Sequence, residues 1–202
     1  MIAQISGELI NVAEDGILLK TESITYHLSI PACDFSNVEN KIGTQIECST
    51  LYYLEGQGQG SNYRPRLIGF QSKRDLDFFE CFTKVKGVGP KKALKAMVVS
   101  ASNIAEAISS GDTAYLINLP EIGKRTAETI IAELRGKVDM FIVPDSANAQ
   151  DNKLSPSNDA VLMLIQLGES PKEAKKLIAI AMKNNQNLEY PEDIVKEALA
   201  LK

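Results

Sequence analysis

Hydrophobic and polar residues alternate along the first third of the chain. The alternation predicts five short strands, at residues 2–10, 16–20, 25–31, 45–54 and 67–70. Short alternating runs separated by turn residues are typical of a small barrel or sandwich. We expect residues 1–70 to form a barrel, because closure removes exposed strand edges. Residues 55–66 interrupt the alternation with glycine and glutamine and predict a long loop.

From residue 71 onward, apolar residues recur at helical spacing instead. The first helical block, residues 71–143, predicts helices at 73–83, 91–99, 102–108, 112–117 and 124–134. On the first of these helices, Leu76, Phe79 and Phe82 form a face that we expect to be core.

A polar segment, residues 144–157, follows with almost no apolar anchor and predicts a flexible linker. Residues 158–202 predict three more helices, at 159–167, 171–182 and 191–201. Ser170, Pro171 and Glu173 match a capping box with proline at the first helical position. A tethered unit this small has a marginal core by itself and suits a movable partner-binding domain.

The first helical block contains one short pattern twice. Its two copies are Lys84-Val85-Lys86-Gly87-Val88-Gly89-Pro90-Lys91-Lys92-Ala93-Leu94 and Asn118-Leu119-Pro120-Glu121-Ile122-Gly123-Lys124-Arg125-Thr126-Ala127-Glu128. Val85 matches Leu119, and the matching positions are 34 residues apart. An apolar anchor, a tight turn and a basic helix start thus recur in register, which indicates a duplicated structural unit.

The repeated pattern has the chemistry of a phosphate-binding site. Glycine lets a ligand approach the backbone closely, and a following helix start offers unpaired N–H groups and the positive end of the helix dipole. Contacts of this kind position a protein on a nucleic-acid backbone without reading its sequence. The candidate DNA-binding residues are Gly87, Val88, Gly89, Lys91, Lys92, Ile122, Gly123, Lys124, Arg125 and Thr126.

Composition places the chain among ordinary globular proteins, with 44% hydrophobic and 24% charged residues. The net charge is −4, yet residues 71–143 hold 11 basic and 9 acidic residues and are the only positive segment. A basic face can bind a nucleic-acid backbone within an acidic protein. We expect no signal peptide, no membrane span and a cytoplasmic location. Three scattered cysteines and one histidine, His27, indicate neither a metal site nor a cofactor.

The repeated pattern resembles the helix-hairpin-helix module, which grips DNA without sequence preference. The whole chain, in the order barrel, paired hairpins, linker and small helical unit, resembles the RuvA family of Holliday-junction-binding proteins. Close matches are Gly87-Val88-Gly89-Pro90-Lys91, Ile122-Gly123-Lys124-Arg125-Thr126-Ala127-Glu128, and Leu167-Gly168 before Ser170-Pro171. The resemblance implies a multi-domain α+β fold, with an N-terminal OB-fold β-barrel, tandem helix-hairpin-helix motifs and a C-terminal three-helix, UBA-like domain.

The resemblance also implies a function and partners. A homotetramer, or two tetramers face to face, would hold an open four-way junction. The C-terminal domain would recruit RuvB, the hexameric ATPase of branch migration, with the RuvC resolvase in a larger complex. The chain itself would be non-catalytic, in line with a sequence that has no Walker-type motif and no nucleophile–base pair. The resemblance places partner contacts at Leu164, Leu167, Gly168, Ala174, Leu177 and Ile178.

Two departures from the family pattern stand out. The family carries an acidic pin, two adjacent acids that repel phosphates at the junction centre. Here Glu55 fits the first acid, but Gly56 occupies the second position. In the second hairpin, Glu121 occupies a position where the family usually has glycine.

Two other function classes stay open. A helix-hairpin-helix glycosylase or nuclease needs a catalytic Asp beside a base pocket, for which Asp139 is the candidate. A general single-strand-binding adaptor needs exposed aromatics on the barrel. Tyr52, Tyr53 and Tyr63 are the candidates, although Tyr52 and Tyr53 cannot face the same side of one strand.

Overall fold

The computed structural model describes residues 2–56, 63–142, 156–185, 188 and 190–200. The chain divides into two compact units, Met1–Glu80 and Cys81–Lys202. No helix in the described part of the chain is long and apolar enough to cross a membrane.

The first unit contains a nearly closed antiparallel barrel. Its strands are β1 (Gln4–Ala13), β2 (Gly16–Lys20), β3 (Thr25–Leu28), β4 (Gln45–Gly56) and β5 (Tyr63–Phe70). They pair in the order β3-β2-β1-β4-β5. A parallel bridge between Ser29 and Ile68 then links the two ends of the sheet. The Ser29 amide donates to the Leu67 carbonyl at 2.9 Å, and the Gly69 amide donates to the Ser29 carbonyl at 2.8 Å. The predicted OB-type barrel is confirmed.

Side chains alternate between the two faces of each strand, and one face of each strand lies inside the barrel. Leu9, Ile17, Leu19 and Leu28 are completely buried there, and Cys48 is 2% exposed. An irregularity between Leu9 and Asn11 shifts the register of β1 against β2 and allows the sheet to curve.

Strands β4 and β5 extend well beyond the predicted strands. The predicted loop 55–66 is wrong at both ends, because β4 continues to Gly56 and β5 already begins at Tyr63. Glu55 faces Arg64 and Tyr53 faces Arg66 across the ladder. Glycine and glutamine in this stretch suggested a loop. Pairing between the strands, which a single sequence does not display, extends both strands into it. We call the paired residues 52–56 and 63–67 the β4–β5 arm.

Two short helical elements connect β3 to β4, and a longer helix follows β5. A 3₁₀ turn (Ala32–Asp34) and α1 (Phe35–Glu39) precede β4, and the strand-based interpretation did not predict them. Helix α2 (Lys73–Thr83) has the predicted bounds. Its apolar face is buried as predicted, and the Phe79 ring lies 5.0 Å from the Phe70 ring, centroid to centroid.

The helices of the second unit begin with α3 (Pro90–Ala96), α4 (Ala101–Ser110), α5 (Thr113–Ile117) and α6 (Lys124–Leu134). A 3₁₀ turn, Asp139–Phe141, follows α6. The Ser100 side chain caps α4, two residues before the predicted start, by accepting a hydrogen bond from the Asn103 amide. Asp112 caps α5 as predicted and accepts from the Tyr115 amide at 2.9 Å.

Three helices complete the second unit: α7 (Pro156–Gln166), α8 (Pro171–Asn184) and α9 (Pro191–Ala200). The N-cap of the predicted capping box is confirmed, since the Ser170 hydroxyl accepts from the Glu173 amide at 3.2 Å. The reciprocal bond from the Ser170 amide to the Glu173 carboxylate stays a prediction. The helices share a compact apolar core around Leu164, Ile178 and Ile194. The predicted linker 144–157 lies, except for its last two residues, outside the described residues.

Candidate nucleic-acid interface

The first hairpin turn joins α2 to α3. The Val88 amide donates to the Val85 carbonyl at 3.0 Å, which closes a four-residue turn. Gly87, the third residue of that turn, has φ = +88°. This is the geometry of a type II turn, which needs a residue that tolerates positive φ at its third position. Gly89 then stands at the N-cap of α3 with φ = −84° and ψ = 169°.

The second hairpin turn, between α5 and α6, repeats this geometry. The Ile122 amide donates to the Leu119 carbonyl at 3.2 Å, and Glu121 has φ = +67°. Gly123 stands at the N-cap of α6 with φ = −89° and ψ = 169°, within a few degrees of Gly89. Pro120 occupies the second turn position, which favours proline. The sequence repeat is therefore a repeat of backbone conformation.

Both turns leave open space beside their N-cap glycines. A Cβ built on Gly89 or Gly123 would meet nothing within 4 Å. Neither N-cap has a side chain that accepts from the helix amides. The first intrahelical hydrogen bonds are donated by the Ala93 and Ala127 amides. The Lys91 amide and the amides of the first residues of α6 come earlier in the chain and have no acceptor within their helix. An anion can therefore approach each helix start and accept from these amides.

The predicted site residues divide into surface groups and anchors. Lys91, Lys124 and Arg125 are exposed, while Lys92 and Thr126 are half-buried. Val88 and Ile122 are only 1% and 4% exposed, so their side chains hold each turn against the core. Only their backbone can face a ligand.

An ion pair that sequence analysis missed links the two hairpins. The Lys95 ammonium, in the last turn of α3, lies 3.0 Å from the Glu121 carboxylate in the second turn. Both side chains are about half exposed, 57% and 44%, so the pair contributes little stability by itself. It does, however, offset the negative charge of Glu121 next to an anion site. A single sequence gives no indication of this contact across 26 positions.

The comparisons with known proteins agree with this arrangement. Residues 79–137, which hold both turns, match the family model described as a SAM-like helix-hairpin-helix tandem. A protein of Desulforapulum autotrophicum named Holliday junction branch migration complex subunit RuvA is 34% identical, over 98% of this chain and 96% of its own length. This chain belongs to the RuvA family. Proteins of the same name from Rhodopirellula baltica and Actinobacillus succinogenes are 36% and 32% identical, over 88% and 98% of this chain and the same shares of their own lengths.

The predicted acidic pin of this chain has a single carboxylate, and that carboxylate is paired. The predicted pin residue, Glu55, is 22% exposed, and its carboxylate lies 2.9 Å from Nε of Arg66 on the neighbouring strand. Burial raises the pKa of the adjacent Tyr53, and the Glu55 carboxylate raises it further. Glu55 is thus paired with Arg66, and Gly56 offers no second acid.

The predicted partner-binding residues of this RuvA-family chain fall into two groups. Leu164, Ala174, Leu177 and Ile178 form the core of the α7–α9 unit and are at most 6% exposed. Their part in partner binding stays a prediction. Because they are buried, they could affect a partner only by holding the three helices in place. Leu167 is 63% exposed and Gly168, with φ = +99°, ends α7 beside it. The side chains of Ile180 and Tyr190 are also exposed, although the sequence pattern did not single them out.

Within the second unit, a hydrogen bond links helix α7 to Asn118, the residue before the second hairpin turn. The Gln166 amide donates to the Asn118 side-chain carbonyl at 2.7 Å. Burial raises the pKa of the Asp159 carboxyl at the start of α7, and the Asp112 and Glu192 carboxylates raise it further.

Asp139, the catalytic candidate of the glycosylase alternative, is exposed and accepts a hydrogen bond from the Ser109 hydroxyl.

Proposed function

We propose that this chain is the junction-binding subunit of a branch-migration complex. It binds four-way DNA through its two hairpins, holds the junction open for branch migration and has no catalytic role of its own. One observation carries the proposal: two hairpins with the same turn, open N-cap and basic helix start occur in a RuvA-family chain. The relatives are named as subunits of the Holliday junction branch migration complex.

The hairpins bind phosphates by two complementary means. The amides at each helix start donate hydrogen bonds to a phosphate oxygen. Full positive charges beside them come from Lys91, Lys92, Lys124 and Arg125. These groups do not distinguish base edges, so the binding follows DNA shape and not sequence. The first hairpin carries no acid in its turn and should bind more strongly than the second, where Glu121 stands.

Assembly supplies the junction specificity in this proposal. One copy offers two hairpins, enough for one duplex arm, whereas a homotetramer offers a pair for each of four arms. A second tetramer on the opposite face of the junction would complete an octamer. The α7–α9 unit recruits the RuvB ATPase through exposed apolar residues such as Leu167, and the RuvC resolvase joins the larger complex.

A titration on three DNAs tests this function. The purified chain is mixed with a four-way junction, a linear duplex and a single strand of equal length, at two salt concentrations and without nucleotide. We expect a strong preference for the junction. Equal affinity for the duplex would remove the junction function, and preference for the single strand would favour the adaptor alternative.

A salt series on paired variants tests the interface. If each engaged subunit neutralises about three phosphates, log K falls with log salt with a slope of roughly −3 per subunit. Replacing Lys91 and Lys92 by alanine should flatten that slope. The matched control replaces Lys183 and Lys196, two exposed lysines of α8 and α9, and should leave it unchanged. An unchanged slope in the first variant would contradict DNA binding by the first hairpin.

Deleting residues 158–202 separates junction binding from recruitment. We expect the shortened chain to bind the junction and to lose stimulation of the ATPase partner. Loss of junction binding itself would contradict a purely recruiting role for this segment.

A further inference from the structure

The β4–β5 arm carries an uncovered apolar row. Antiparallel pairing joins Tyr52 to Leu67, Leu54 to Pro65 and Gly56 to Tyr63, so these residues share one face of the ribbon. Tyr52 is 45% exposed, Leu54 55% and Tyr63 61%. Large apolar side chains in a contiguous exposed row mark an interaction site more often than isolated ones do.

This row continues the inward face of the barrel. On β4, positions 46, 48, 50, 52 and 54 lie on the same side of the strand, and Cys48 is part of the barrel core. Leu67 also packs against that core. Beyond it, the arm extends the same face without a covering layer among the described residues. Packing within the barrel therefore does not account for Tyr52, Leu54 and Tyr63.

The opposite face of the arm is charged and not acidic on balance. Glu55 is paired with Arg66, and the exposed Arg64 lies across the ladder from Glu55. In the described part of the arm, two guanidinium groups thus accompany one carboxylate. A surface of this charge attracts phosphates and does not repel them.

The Tyr63 ring lies next to Gly56, the residue at the second pin position. A Cβ built on Gly56 would lie 3.5 Å from Cε1 of the Tyr63 ring. The ring therefore lies over Gly56, and its exposed fraction shows that much of it faces solvent. A carboxylate side chain at position 56 would occupy the space beside this ring.

We propose that the apolar row of the β4–β5 arm is a stacking surface for unpaired DNA bases. Tyrosine rings stack on any base, and the arginines on the opposite face of the arm attract the phosphates of the strand that carries it. This inference rests on the proposed function, since the hairpins deliver the DNA, and it assigns the arm to binding separated strands instead of repelling them. A second copy of the chain is a poorer occupant, because four or five side chains fall far short of the roughly 20–30 residues a side of a stable interface.

Variants of Tyr63 test the proposal in the full-length chain. The probes are a four-way junction, a linear duplex and a thymidine oligonucleotide. We expect Tyr63→Ala to weaken junction and single-strand binding roughly 5- to 100-fold while duplex affinity stays within about twofold. Tyr63→Phe keeps the ring and should bind like the unaltered chain. Tyr190→Ala is the matched control, since Tyr190 is 65% exposed but lies at the start of α9.

The outcomes separate this proposal from the function on which it rests. If the unaltered chain prefers junctions and Tyr63→Ala binds them equally well, the stacking surface is refuted and the junction function stands. If the unaltered chain binds junction and duplex equally, the junction function fails, and the thymidine oligonucleotide still decides the stacking surface. If Tyr63→Ala lowers the molar mass in light scattering, the row is an interface between copies, which also refutes stacking.

Discussion

Gly123 offers a substitution that separates DNA binding from stability. It caps α6 with φ = −89° and ψ = 169°, a conformation that alanine also adopts, and a Cβ there meets nothing within 4 Å. Alanine is a poorer N-cap than glycine, but it also restricts the unfolded chain. These two effects oppose each other, so Gly123→Ala should change the free energy of unfolding by less than about 0.5 kcal/mol.

The same methyl group should obstruct a phosphate. It would project into the open space beside the N-cap of α6, next to the Lys124 and Arg125 amides in the chain. A hydrogen bond from an amide to a charged acceptor contributes about 1.5–3 kcal/mol. Losing one such bond weakens binding by roughly 10- to 150-fold for that hairpin. Because several subunits engage one junction, the loss for a whole assembly should be larger.

The control lies at the other end of the same helix. Gly136 follows α6 with φ = +77°, and a Cβ there also meets open space. Gly136→Ala should cost about 1–2 kcal/mol of stability, because alanine tolerates positive φ poorly. It should leave junction affinity unchanged, since eleven helical residues, about 16 Å, separate it from the turn.

Two measurements on both variants complete the test. Urea unfolding followed by circular dichroism gives the stabilities, and fluorescence anisotropy with a labelled junction gives the affinities. We expect Gly123→Ala to be stable and weak in binding, and Gly136→Ala to be less stable and normal in binding. A folded Gly123→Ala chain with normal junction affinity would refute close phosphate approach at this turn.

Three further predictions concern charge and strain. Glu121→Gly and Glu121→Gln should both raise junction affinity in anisotropy titrations, because each removes a carboxylate beside a phosphate site and frees Lys95; only the glycine variant also relieves the positive φ, and equal affinity to the unaltered chain would contradict the charge argument. Asp112→Asn keeps the cap of α5 but removes a neighbouring charge, so NMR titration should show a lower pKa for Asp159; an unchanged pKa would contradict the proximity of α5 and α7. Burial raises the pKa of Cys48 to about 11, so iodoacetamide at pH 8 should modify it only after unfolding in urea. Peptide mapping distinguishes it from the partly exposed Cys33 and Cys81, and rapid labelling of Cys48 in the native chain would contradict its burial.

Regular features of this fold could be predicted from local sequence. Helix α2 has its predicted bounds because its apolar residues recur at helical spacing and no glycine or proline interrupts them. The caps at Asp112 and Ser170 were predictable because side-chain oxygen at an N-cap satisfies a defined backbone amide. The hairpins were predictable because the turn and helix start occur twice in register.

Contacts between distant positions could not be predicted in this way. Strand pairing turns residues 63–66 into part of β5, although arginine and proline there suggested a loop. The same pairing brings Arg66 to Glu55 and so alters the predicted acidic pin. For the α7–α9 unit, a helical pattern marks residues such as Leu164 and Ile178 as important, but it does not separate core positions from surface contacts.

The second hairpin turn keeps its geometry although Glu121 is unfavourable at its position. A non-glycine residue at φ = +67° carries a conformational cost of roughly 1–2 kcal/mol, and its carboxylate opposes phosphate binding. Pro120 lowers the first penalty, since it presets the preceding turn position. Lys95 lowers the second, since it pairs with Glu121 from the first hairpin's helix. The two hairpins are therefore not independent copies: a residue of the first sets the charge of the second. Lys95 thus acts on the proposed phosphate site of the second hairpin through Glu121, even though it lies at the opposite end of α3 from the turn that the sequence repeat identifies.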